Sequence, residues 1–434
     1  MKFPGKRKIK HYFPVSERGR ISFEFEFSEN NVSYILGIDQ VLVDIEAHIP
    51  DSFLADWNLQ KGQSTILPES VAGELHHQLE IQDLIKGEFA GGTIGNTLHN
   101  YSILSESESV LLGTIKQDIM VGDYAFKYLR NTAPLVNLSH LTPVGGEMGR
   151  AFCLVTPDGE RTFALSPGEM NQLPSSSIDS DLLSKAGLFL ITAYLLRDEN
   201  DPIYEATIKA CKMAKEHNVP IVLTLGADGL VREKKEFFNQ FIKEYVSILA
   251  MNGEEAHALT GESDPINAMG GILELADFSL LTIGKDGLLV GGFCDKEYLR
   301  ETKNELRAHL NYPAFNSYEF SRSMLKKDCL DPVQIISHIN PFMGGPGEQI
   351  KNTNGAGDAA LSALLHDIMA NTFHRQTLPS SPKHRANFLT YSSLAQISKY
   401  CNRVSYEVLK QNSPRLIRGL PDREDCLEEE YWER

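Results

Sequence analysis

The chain has 434 residues, 42% of them hydrophobic, and a formal net charge of −16, with a pI near 5.3. That is enough apolar side chain for a large core, and one big α/β domain with excursions is the expected plan. The acidic balance argues against broad association with nucleic acid or with acidic membrane surfaces, so any phosphorylated ligand has to be held by local features.

In chain order, the first feature is a basic cluster at Lys2, Lys6, Arg7, Lys8, Lys10 and His11 within an arm spanning 1–32. It reads as a solvated arm, with a functional role as the lesser alternative. An apolar run at 34–38 predicts the first strand, and Gly37-Ile38-Asp39-Gln40-Val41-Leu42-Val43-Asp44 sets two carboxylates just past its end. Open α/β sheets bind ligands at that edge. Paired carboxylates without metal-ligand spacing suit hydroxyl recognition, with ordinary surface acidity as the alternative. Phe89-Ala90-Gly91-Gly92-Thr93-Ile94-Gly95-Asn96 then enters a helix through Leu98, Tyr101 and Leu104. Two glycines permit close approach of a ligand, and the Asn96 amide offers donor and acceptor to a sugar diol; a plain helix-entry turn is the alternative.

Strands are expected at 110–115, 188–193, 220–225, 246–251 and 278–283, with helices at 205–217 and 236–245 between them. Such alternation predicts a mostly parallel sheet covered by helices. The stretch 151–165 differs. It reads as two strands joined by Pro157-Asp158-Gly159, an antiparallel hairpin that projects from the main body as a lid. Arg197 follows the 188–193 strand and is a candidate to stack on or hydrogen-bond a ligand. Asn252-Gly253-Glu254-Glu255 has capping-box spacing, and the same residues could organise magnesium and its waters near a nucleotide. Thr282-Ile283-Gly284-Lys285-Asp286-Gly287 joins two apolar strands by a tight turn against which a nucleotide could lie.

From about 295 to 347 the periodicity weakens, which predicts an insertion or long connection. Asn352-Thr353-Asn354-Gly355-Ala356-Gly357-Asp358 follows, then the apolar run 359–365 that reads as a helix. Glycines free backbone amides and a helix N-terminus adds partial positive charge, so an anion sits there readily. Asp358, one residue on, could take a proton from a hydroxyl attacking that anion, and an ordinary carboxylate pKa serves this purpose. The competing reading makes Asp358 a helix N-cap. A further helix is expected at 387–409, ahead of an acidic tail. No G-x-x-x-x-G-K-[ST] sequence is present. Six cysteines, at 153, 211, 294, 329, 401 and 426, show no C-x-x-C spacing. Neither a zinc site nor a disulfide framework is expected, and the setting is expected to be reduced and cytoplasmic, with no membrane span or signal peptide.

Taken in order, the segments 37–44, 91–96, 151–165, 252–255, 282–287 and 352–358 resemble the ribokinase-like (phosphofructokinase B type) carbohydrate and nucleoside kinases over roughly residues 33–410. The stretches around Asp39, Gly92 and Asn340, and the two ends of the chain, are most similar to the purine nucleoside members. The resemblance implies a three-layer α/β/α fold with a mostly parallel central sheet and a small β lid. Lid strands would come from about 39–65 and 110–170 of a domain spanning 33–434. It also implies ATP-dependent phosphorylation of a ribose 5′-hydroxyl, with inosine and guanosine as the expected purine nucleosides. By that likeness Asp358 is the base, and the amides of Gly355, Ala356 and Gly357 form the anion hole. Asp39, Gln40, Asp44, Gly92, Thr93, Ile94, Gly95, Asn96 and Arg197 hold the nucleoside. Asn252, Glu255, Thr282, Gly284, Gly287 and Asn354 serve ATP, with Glu255 acting indirectly on Mg2+. An adenosine or sugar kinase and a non-catalytic nucleoside sensor are the alternatives. A monovalent-cation requirement and a homo-oligomer stay open.

Overall fold

Alternate side chains of the strand Ala186–Thr192 enter two different cores, Leu188 and Leu190 one of them, Phe189 and Ile191 the other. A strand buried on both faces has no polar side to show, hence the unbroken apolar run in the sequence. The computed structural model describes residues 33–301, 318–342 and 350–420. The basic arm, the acidic tail with Cys426, 302–317 and 343–347 of the expected insertion, and 348–349 lie outside the described residues.

The main sheet runs, edge to edge, Pro332–Ile339, Leu288–Asp295, Phe278–Thr282, Val246–Asn252, Ile221–Thr224, Ala186–Thr192, Tyr34–Ile38, Ser109–Lys116 and Val136–Asn137, with Leu141–Val144 also paired to Ser109–Lys116. Pairing is parallel from Phe278–Thr282 across to the Val136 edge and antiparallel for the two strands on the other side. Helices Thr93–Ser105, Ala356–Thr377 and Leu394–Leu409 cover one face. Helices Pro202–Glu216, Lys235–Tyr245, Gly253–Thr260 and Pro265–Ile272 cover the other. This is the three-layer arrangement that the alternating pattern predicts.

A second sheet of five strands, in the order Ser64–Ile66, Arg161–Ser166, Gly149–Val155, Leu42–His48 and Ile85–Ala90, stands apart from the first. The antiparallel hairpin expected at 151–165 is there, with Arg150 opposite Ser166 and Val155 opposite Arg161. Residues 110–116, which the sequence reading lent to the lid, instead lie in the main sheet, while Ile85–Ala90 joins the lid. Two further differences stand out. Pro332–Ile339 forms an edge strand within the stretch read as an insertion. The helix expected over 387–409 begins only at Leu394. The buried Asp367 carboxylate accepts the amides of Tyr391 (2.8 Å) and Ser392 (3.0 Å), which holds that segment out of helical register.

Candidate active site

The first strand of the main sheet ends at Ile38, and Asp39, Gln40 and Val41 link it to the lid strand Leu42–His48. Asp39, 1% exposed, accepts the Gly95 amide at 2.7 Å on Oδ2, so its carboxylate caps the helix Thr93–Ser105. Gly92 precedes that helix with φ +90°, and a Cβ there would collide with the Asp39 carboxylate. The glycine pair, read from the sequence as room for a ligand, here brings backbone against the protein's own Asp39 and Asp44 carboxyls. Asp44 is the third residue of the lid strand Leu42–His48 rather than part of the strand-end loop, and its carboxyl lies against Gly91. Ile94 is fully buried, so only its backbone faces Asp39. The side chain of Gln40 donates to Asn171 Oδ1 (2.6 Å), and Asn171 donates to Asp201 (2.8 Å).

The Gly355–Asp358 motif opens the helix Ala356–Thr377. The N-cap is Gly355, in the left-handed region with φ +78°, and Asp358 falls in the first turn with no capping bond. The reading of Asp358 as N-cap is thus overturned. The Asp358 carboxylate, half-buried, instead receives Asn96 Nδ2 at 3.3 Å across 262 residues of sequence. One contact joins the Gly-Gly-x-x-x-Asn turn to the Asn352–Asp358 motif. From the lid, Arg161 donates to Thr353 Oγ1 (2.7 Å), Asn354 Oδ1 (2.7 Å) and Asn352 Oδ1 (2.9 Å), tying the lid to the motif loop. Replacing Arg161 by Ala removes three bonds to one loop. We expect kcat to fall by about tenfold or more with little change in Tm, since the loop must be re-ordered at each turnover; stopped-flow turnover beside a thermal melt checks this, and an unchanged kcat refutes it.

Asn252 and Glu255 form the expected capping box: Glu255 N donates to Asn252 Oδ1 (2.9 Å) and Asn252 N to Glu255 Oε2 (3.0 Å). Strand pairing sets Thr282 opposite Asn252, and the turn Gly284–Asp286 leads into the antiparallel partner strand ending the loop at Gly287. These residues share the sheet edge with Asp39. Arg197 lies over the Tyr194 ring, 5.2 Å from its centroid, rather than on the carboxylates.

Crowding of acids shapes the electrostatics. Burial pushes Asp358 up to about 7, the Asp44 and Glu255 carboxylates push it the same way, and the Asn96 bond and Arg415 pull against them. The expectation of an ordinary pKa for Asp358 is therefore wrong. Burial likewise raises Asp39 to about 7, Asp44 to about 6 and Glu255 to about 7. A cleft that holds four such acids favours cationic or hydroxyl-bearing guests over bare anions until a counter-ion arrives. Glu255, 4% exposed, offers hard oxygen donors of the kind a hydrated divalent cation takes. Among the described residues no group of three or more His, Cys, Asp or Glu could hold a metal by itself.

Sequence reasoning missed three groups: Arg161, Asn171 and Arg415. Arg415 is 4% exposed and donates to Asn96 Oδ1 (2.9 Å), Thr132 Oγ1 (2.8 Å) and Gly91 O (3.1 Å).

Residues 88–302 match the family described as pfkB family carbohydrate kinase. The chain is 52% identical over 436 aligned residues to the guanosine-inosine kinase of Escherichia coli (strain K12), covering 100% of both chains. Among solved structures it is similar to a probable sugar kinase from Rhizobium etli CFN 42 (TM-score 0.66, 18% identity, 89% of this chain and 96% of that one). It is also similar to the adenosine kinase of Sinorhizobium meliloti (TM-score 0.64, 19% identity, 89% and 96%). With the two sheets, the capped Gly-Gly turn and the Gly-Ala-Gly-Asp helix start all in place, the chain belongs to the pfkB family of carbohydrate kinases.

Proposed function

We propose that the protein phosphorylates the ribose 5′-hydroxyl of purine nucleosides, inosine and guanosine first, using ATP and yielding the nucleoside 5′-monophosphates for purine salvage. The observation that carries this reading is the Asn96–Asp358 contact, which sets a diol-recognising amide beside a carboxylate at a helix N-terminus. Asp358 takes the proton of the 5′-hydroxyl; the freed oxygen lone pair bonds to the γ-phosphorus as the bond to the β–γ bridging oxygen breaks, and ADP leaves. The amides of Gly355, Ala356 and Gly357, at the positive end of a 22-residue helix, face the charge that builds on the transferring group. Positioning and charge stabilisation are most of what phosphoryl transfer asks of a protein.

Asp39, Gln40, Asp44, Gly92, Thr93, Gly95 and Asn96 line the nucleoside side, with Ile94 contributing backbone and Arg197 at the rim. Asn252, Thr282, Gly284, Gly287 and Asn354 serve ATP. Magnesium, when bound, supplies neutralising charge to the phosphate oxygens, and Glu255 would organise its waters. Specificity for inosine and guanosine rests on the 52% identity, over both full chains, with a guanosine-inosine kinase. No described helix is long and apolar enough to cross a membrane. Cys153, Cys211, Cys294, Cys329 and Cys401 are free thiols, which supports a reducing, cytoplasmic setting. A coupled ADP-release assay over inosine, guanosine, adenosine, cytidine, ribose and fructose 6-phosphate tests the assignment. Inosine and guanosine should give the highest kcat/KM; a free sugar turned over fastest would overturn it.

A further inference from the structure

Beyond the helix Leu394–Leu409 the chain runs as a strap between the 352–358 loop and the helix Thr93–Ser105, fastened to each. Asn352 Nδ2 donates to Asn412 O (2.9 Å) on the anion-hole side. On the other, Asn100 Nδ2 donates to Pro414 O (3.3 Å), Leu416 N donates to Asn100 Oδ1 (2.7 Å), and His99 Nε2 pairs with Leu416 O (2.9 Å). The strap delivers Arg415 into the buried space behind the Gly91-Gly92 turn, with its guanidinium 5.1 Å from the Tyr128 ring centroid.

An asparagine amide is ambiguous by itself, with an acceptor on one side and donors on the other. A guanidinium is not: it only donates. Because Arg415 Nε occupies one end of the Asn96 amide, that end is Oδ1, and the Nδ2 end is turned to Asp358. We propose that Arg415 is a positioning residue for the phosphoryl transfer, fixing the orientation of Asn96 so that its amide donates to the Asp358 carboxylate. Arg415 makes its three donated bonds to neutral acceptors. Its charge thus remains available to Asp39, Asp44 and Asp358, each of whose carboxyls it pulls down. This inference rests on Asp358 being the base.

The test uses the full chain with Arg415→Gln, Arg415→Lys, Asn96→Ala, the Asn96→Ala/Arg415→Gln double variant and Asp358→Asn. Arg415→Gln should lower kcat by ~10²-fold with KM for ATP held, because a misaligned donor costs the chemical step more than nucleotide binding. If Arg415 acts through Asn96, the double variant loses no more than about threefold beyond Asn96→Ala alone. Asp358 is faced by Asp44 from the lid, Asp39 from the first strand's end, Glu255 from the helix Gly253–Thr260, Tyr194 from the turn after Ala186–Thr192, and Arg415. Removing the one cation among these moves the acid limb of kcat/KM to higher pH. Arg415→Lys, which keeps the charge but not the planar fork, returns the limb and leaves kcat low. Additive losses, an unchanged kcat, or a loss matched by a fallen Tm with the limb unmoved would each overturn the inference. Turnover kept in Asp358→Asn would instead remove the base assignment, whereas a dead Asp358→Asn beside a normal Arg415→Gln defeats this inference alone.

Discussion

Asp358→Asn should lower kcat by ~10²- to 10⁴-fold, the range for loss of a positioned proton acceptor, while nucleoside affinity is mostly kept. The amide is nearly the same size and still sits beside Asn96, so binding contacts survive and only proton transfer is lost. The pH dependence sharpens the test. A base works in its charged form, so wild-type kcat/KM falls as pH drops through about 7, the value to which burial and the neighbouring acids push Asp358. The Asn variant loses that titration. Stability should move the opposite way to activity. The folded-state pKa lies above the unfolded one, so folding prefers the protonated acid. The associated stability is complete below the ordinary carboxylate pKa and is lost as pH rises through about 7. Asn cannot ionise, so the variant should melt several degrees above wild type at pH 8, with the gap closing as pH falls toward ~4. Unchanged turnover would remove Asp358 from the chemistry. A variant melting below wild type at pH 8 would show that its charge is not costly there.

Activity bought with stability in this way also explains what the sequence could and could not disclose. Asp39, Gly92, Asn96, Glu255 and Asp358 sit in short contiguous motifs at strand ends and helix starts, where backbone geometry alone demands particular residue types. Their grouping at one edge of the sheet was therefore legible before their neighbours were known. Arg415 has no local signature: its partner Asn96 is 319 residues away, and an isolated arginine near the end of a chain reads as solvated. Arg161 looks like one polar residue in a hairpin until its three acceptors, nearly 200 residues on, are in place. Of the strands the sequence did not reveal, two were missed for a related reason. Ile85–Ala90 has a lysine, a glycine and a glutamate among its six residues, and Pro332–Ile339, at the sheet edge, begins with an exposed proline and has an exposed glutamine two residues on. Neither shows the continuous apolar run of a doubly buried strand. The raised pKa of Asp358 could not be read at all, since it arises from burial together with Asp44 and Glu255, which only the fold collects.

The two glycines of the proposed anion hole should respond differently to alanine, and the contrast tests the geometry of the motif. Gly355 has φ +78°, where an L side chain costs about 1–2 kcal/mol from backbone sterics alone. A Cβ there would also lie 2.5 Å from Pro414 Cβ and 2.7 Å from Pro414 O. Neither neighbour is a flexible side-chain end, so the motif loop or the strap carrying Arg415 must shift. Gly355→Ala should therefore lose both stability and ~10²- to 10³-fold in kcat, the scale for misdirecting one anion-hole donor. Gly357 lies inside the helix, and a Cβ built on it meets no atom within 4 Å. Alanine there should hold or raise Tm, because it is the better helix former by about 1 kcal/mol. Its methyl group occupies the open space beside Asp358, where the transferring phosphate is placed by the proposed mechanism. Gly357→Ala should accordingly keep its fold and lose about tenfold or more in kcat/KM for ATP. Melting curves and steady-state kinetics on the two variants separate the cases. Wild-type turnover in Gly355→Ala would mean that the left-handed turn and its contact with Pro414 are not needed to aim the amides. Wild-type kcat/KM in Gly357→Ala would place the phosphate elsewhere.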